Sequence, residues 1–114
     1  MGKDIWNMRG HARAICGVLA SINPTKGVEI GIGQGATSSR LLQAFPKLML
    51  YMVDPWEENP KLEATPSLKD WYVKAHRSSL KMTEFAKDRR IVIQELSEVA
   101  VKIFDDESFD FCFY

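Results

Sequence analysis

The sequence has no surplus of either charge: 15 Lys and Arg are balanced by 15 Asp and Glu. Neither sign forms a long run, so bulk electrostatics offers nothing to a phosphate backbone or an anionic lipid surface. No apolar stretch approaches the ~20 residues that a membrane-spanning helix requires. The N-terminal residues, MGKDIWNMRGHARAI, carry charges where a signal peptide needs an apolar core. A cytoplasmic location follows as the expectation, with no nucleic acid and no membrane as partners. Cysteine is scarce. Cys16 and Cys112 lie far apart in apolar surroundings and read as two buried, reduced thiols rather than a disulfide or a metal site. Histidine is equally scarce, and His11 and His76 fall on predicted helices with no ligand spacing around them. No Ser/His/Asp or Cys/His arrangement is visible, and neither is a repeat or a low-complexity tract.

What is present is enough for one small domain of 114 residues, 46% hydrophobic and 26% charged, the balance of a globular protein with a real core. Residues 5–22 predict a helix, with Ile15, Val18, Leu19 and Ile22 forming one apolar stripe before Asn23-Pro24 ends it. Residues 27–32, with Val28, Ile30 and Ile32, predict a buried strand. A second helix follows over 37–45, with Leu41, Leu42 and Phe45 on one face. Then comes the continuously apolar run 48–53, which suits a central parallel strand. Pro55, Pro60 and Pro66 punctuate a loop. A long helix is expected over 67–87, opened by a capping box of Ser67 and Asp70, with Leu68, Trp71, Tyr72, Ala75 and Met82 turned inward. Lys87, Arg89 and Arg90 read as a solvated basic cluster before a third strand at 91–93. Ser97 would cap a short helix ending near Phe104, and 109–114 predicts a fourth strand. Strands alternating with helices imply parallel pairing through right-handed crossovers, hence a Rossmann-like three-layer α/β domain with a mostly parallel sheet.

The chemistry concentrates between the first strand and the second helix. Gly31, Gly33 and Gly35 alternate there, at the carboxyl end of a strand, where open α/β sheets bind ligands. Gly31-x-Gly33-x-x-Ala36 also satisfies the dinucleotide fingerprint, so the glycines do not choose a cofactor. Glu29 separates the classes: a carboxylate beside the turn repels a pyrophosphate but suits a cationic sulfonium and ammonium. Asp54 follows the second strand directly, 23 residues after Gly31, where a carboxylate accepts ribose hydroxyls. The same acid would serve NAD.

Glu29-Ile-Gly31-Ile-Gly33-Gln34-Gly35 resembles the first motif of class I S-adenosylmethionine-dependent methyltransferases. Asp54-Pro55-Trp56 is similar to the second acidic motif in a small-molecule branch of that family. Phe109-Asp110-Phe111 resembles the start of the family's fourth strand. The resemblance spans 27–114. It implies S-adenosylmethionine as cofactor and methyl transfer to a small-molecule acceptor. Gly31, Gly33 and Gly35, with Gln34, would line the methionine moiety, Glu29 would support its ammonium, and Asp54 would hold the ribose. Trp56 would flank the adenosine. Leu96 stands where an Asp is common in the family, leaving Ser97 as the adenine contact. The family sheet has seven strands and four are predicted here, so the domain is expected to be truncated after the fourth strand, to lack its acceptor site and to be inactive alone. The apolar final strand would then favour a homodimer. Two other readings stand beside this one: an NAD(P)-dependent oxidoreductase, and a non-catalytic nucleotide-binding or assembly module.

Overall fold

Four short apolar runs, each too brief to be stable alone, pair side by side into one all-parallel sheet. The computed structural model describes residues 10–57, 65–106 and 108–113. In chain order these form α1 (Gly10–Leu19), β1 (Lys26–Ile30), α2 (Ala36–Ala44), β2 (Met49–Val53), α3 (Pro66–Met82), β3 (Arg90–Ile93), α4 (Ser97–Ala100) and β4 (Phe111–Phe113). The strand order is β3-β2-β1-β4. The register sets Ile30 against Val53, Val53 against Ile93, and Val28 against Cys112.

Because side chains alternate along a strand, the sheet has two apolar faces. Leu50 and Met52 of β2 meet the buried Ala12, Cys16 and Leu19 of α1, Leu41 and Leu42 of α2, and Ala75 of α3. Val28 and Val53 face the opposite side, under Ala100 of α4. The layers are therefore three helices, the sheet, and one short helix: a Rossmann-like three-layer α/β fold. On the thinner side Tyr51, Phe104 and Phe109 pack edge to face, with centroids 4.9–5.6 Å apart. The Lys26 ammonium lies 5.2 Å from the Phe109 ring centroid, a cation–π contact. Among the described residues no helix is long and apolar enough to cross a membrane.

Long-range polar contacts lock the order. The Asp110 carboxylate accepts from the Thr25 and Lys26 amides at 2.8 and 3.0 Å, tying the start of β4 to the start of β1. Those bonds hold its carboxyl below the usual range. Gly27 pairs with Phe111 of β4, and a Cβ there would overlap the Phe111 ring and force it to shift.

Several sequence expectations are corrected. The buried face of α1 is Ala12, Cys16 and Leu19; Val18 and Ile22 are 71% and 54% exposed, so the stripe is rotated from the one read by hydropathy alone. α3 starts earlier and ends at Met82, capped by Thr65, whose hydroxyl accepts from the Leu68 amide, not by Ser67. Its buried residues are Ala75 and Ser79, while Trp71 and Met82 are largely exposed. Small residues win that face because the glycine turn after β1 presses on it. Leu96, not Ser97, occupies the N-cap of α4, with no side-chain cap bond. Cys112 is exposed; Cys16 is buried, and burial pushes its thiol up to about 11.

The basic cluster is also not simply solvated. Arg89 is half-buried and donates to the carbonyls of Leu42, Phe45 and Leu48, each at 3.1 Å, closing the C-terminus of α2. Arg90 donates to Leu80 O at 2.8 Å and to the Thr83 hydroxyl. Removing the first fork takes a charged donor from three carbonyls, of which Phe45 O keeps the Leu48 amide. Arg89→Met should therefore lower unfolding stability by about 2 kcal/mol in urea titration, and Arg89→Lys should recover little, since an ammonium cannot span them.

Candidate functional site

The strand-to-helix turn after β1 occupies the point where the chain's crossovers part: α2 and α3 pack on one face of the sheet and α4 on the other, with β1 between β2 and β4. This is the topological switch point at which open α/β sheets place ligands. Gly31, Gly33 and Gly35 have φ of 83°, 62° and 95°, the left-handed region that side-chain-bearing residues avoid. Their surroundings differ. A Cβ on Gly35 would lie 2.7 Å from the Ser79 backbone, so α3 rests directly on the turn. A Cβ on Gly31 or Gly33 would meet nothing within 4 Å, so these two present bare backbone to open space.

Asp54 holds the turn in shape. The pairing of Ile30 with Val53 delivers it beside Gly31, whose amide donates to Val53 O at 2.9 Å. Asp54 Oδ2 accepts from the Ile32 and Gly33 amides at 2.8 and 2.9 Å. Asp54 Oδ1 accepts from the Trp56 amide at 2.7 Å. Trp56 is buried with φ of 48°, an unusual conformation for a bulky residue, and its indole N–H donates to Gly33 O at 2.8 Å. Its ring stacks on His76 of α3, centroids 4.2 Å apart and planes 14° from parallel. Gln34 is exposed, and its backbone carbonyl accepts from the Ser78 hydroxyl at 3.1 Å.

Glu29 sits beneath this arrangement, 2% exposed, and accepts from the Ser38 hydroxyl at 2.7 Å. Burial is the main cause that pushes its carboxyl from the ordinary 4.5 up to about 7; the Ser38 bond opposes this and the charge of Asp54 adds to it. Glu29 is thus neither a surface carboxylate nor an open one, but an acid stored under the turn.

The structure brings Glu29, Gly31, Gly33, Gln34, Gly35, Asp54 and Trp56 together. Ser97 stands apart: it is exposed at the start of α4 and belongs to the wall of a cavity of about 260 Å³ on the opposite face, with Val28, Ile30, Val53, Ala100 and Phe104. Sequence reasoning missed Ser38, Ser78, Ser79 and His76. Ser38 had a legible signal, since it shares the helical stripe of Leu41, Leu42 and Phe45, where a buried hydroxyl implies a polar partner. The α3 residues had none. No protein-family model matches the chain, and no curated protein sequence matches it.

Two outcomes follow from this geometry. Gly35→Ala should destabilise by about 3 kcal/mol or more in chemical denaturation, through steric overlap added to backbone strain, whereas Gly31→Ala and Gly33→Ala should each cost about 1 kcal/mol, from strain alone. Glu29 binds a proton more tightly folded than unfolded, so its contribution to stability is complete below pH 4.5 and is lost as pH rises through about 7. Glu29→Gln should remove this dependence, whose amplitude is at most about 3 kcal/mol, in unfolding curves recorded across that range.

Proposed function

We propose that this chain is a methyltransferase domain that binds S-adenosylmethionine at the glycine turn and offers its methyl group to a small-molecule acceptor. One observation carries the reading. The Ile32 and Gly33 amides, which a phosphate-binding turn would direct at its ligand, already donate to Asp54. A pyrophosphate would meet two spent donors above two acidic side chains. A nucleoside without phosphate, bearing a sulfonium and an ammonium, meets a turn of matching polarity. The dinucleotide reading loses support on the same ground.

The residues fit such a ligand. Gly31 and Gly33 leave room for close approach to the backbone, and Gln34 is exposed beside them. Asp54 Oδ1 takes one of the three amide bonds and keeps capacity for a ribose hydroxyl. Glu29 supplies acidity beneath the methionine ammonium. Trp56 and His76 form the stacked wall on the α3 side, where the adenosine would be flanked; Ser97, on the cavity wall of the opposite face, is not part of that wall. The cofactor supplies an electrophilic methyl group when bound. The chain's part is to orient it, by a turn whose shape is set before binding, so that the acceptor meets it in line. A non-catalytic nucleotide-binding module would share the binding step and lack the transfer.

Calorimetric titration decides between ligands: S-adenosylhomocysteine should bind more tightly than NAD or NADP. Tighter NAD binding, lost in Asp54→Ala, would refute the proposal. Gly33→Val should weaken S-adenosylhomocysteine binding at least tenfold while circular dichroism stays unchanged; retained affinity in the folded variant would make the turn purely structural.

A further inference from the structure

Two carboxylates lie under one turn, and the structure treats them oppositely. Asp54 accepts three backbone amides, while Glu29, almost fully buried, accepts among the described residues from the Ser38 hydroxyl alone. Among the described residues, the elements packed around Glu29 bring no cation to it. β2 contributes the paired Met52 and, at its end, Asp54; β4 contributes the paired Phe113. α2 contributes Ser38, and its Arg40 is exposed; α1 turns Cys16 into the same core, and its Arg13 is exposed. An uncompensated buried carboxylate beside a second one costs several kcal/mol to ionise, so the group neutralises instead.

We infer that Glu29 carries a proton in the ligand-free protein and releases it to solvent when a cationic ligand occupies the glycine turn, so that ligand binding is coupled to deprotonation. This rests on the reading of the turn as the site of a cationic cofactor and adds a pH response to it. The balance is simple: the carboxylic acid becomes a carboxylate, the arriving cation supplies the compensating charge, and the proton goes to buffer. The position of Glu29, pushed up to about 7, places the exchange at physiological pH. Affinity for the cation then rises about tenfold per pH unit below that value and levels off above it.

The test is calorimetry of S-adenosylmethionine at about pH 6 in two buffers of different ionisation enthalpy, where the ligand's own ammonium is fully protonated and stays silent. The expected result is a buffer-dependent heat equivalent to release of roughly one proton, absent in Glu29→Gln. A carbon-13 titration of the Glu29 carboxyl in the ligand-free wild type provides a readout that needs neither variant nor ligand; a midpoint near 7 supports the inference, and one near 4.5 overturns it. Binding with buffer-independent heats overturns this inference and leaves the cofactor reading standing. Absence of binding at every pH overturns both.

Discussion

The carboxylate of Asp54 is the constraint on which the rest of the site depends. It stands at the end of β2 and reaches across to the turn after β1, so a single side chain converts the register of two strands into the shape of a loop. Bonds from amides to a charged acceptor are among the stronger ones in proteins, and three converge here. They hold the glycines in left-handed backbone and Trp56 in a conformation it would otherwise avoid. Through Trp56 and its stack on His76, the same carboxylate determines how α3 approaches. The close seat of Ser79 on Gly35 is the mechanical counterpart.

This arrangement gives the turn an unusual polarity. A turn of this shape at a helix N-terminus ordinarily attracts anions, because unsatisfied amides and the helix dipole both point outward. Here an acid consumes the amides from below, and a second acid lies buried beside the first strand. The two differ in donors: three amides surround the Asp54 carboxylate, whereas the Ser38 hydroxyl is the partner seen for Glu29, whose burial pushes its carboxyl up.

The two faces of the sheet are built to different standards. The face under α1, α2 and α3 is filled by interlocked aliphatic residues and Phe45, closed at its edge by the Arg89 fork. The face under α4 relies on three aromatic rings and a lysine, and leaves a cavity beside Val28 and Ile30. Helix length explains the contrast, since four residues of α4 shield far less area than the long α3 opposite.

Much of the fold was legible from local pattern. Alternating apolar runs and helical stripes announced the order of elements, and parallel pairing followed from their alternation. The glycines and Asp54 announced the site, because positive φ and a strand-end carboxylate are demands that particular residue types meet. Helix faces were read less well. On α1 and α3 hydropathy favoured Val18, Ile22, Trp71 and Met82, yet α1 buries Ala12, Cys16 and Leu19, and α3 buries Ala75 and Ser79, the latter because the backbone of the glycine turn comes too close for a large residue. Close approach is a property of the assembled layers and leaves no trace in a single segment. The sequence by itself determined which residues could form the turn and which acids would flank it. Only the tertiary structure decided what each acid does: the pairing of β1 with β2 gave Asp54 its amides, and the packing of α2 over β1 left Glu29 buried with one hydroxyl, a difference of solvation that no spacing of residues encodes.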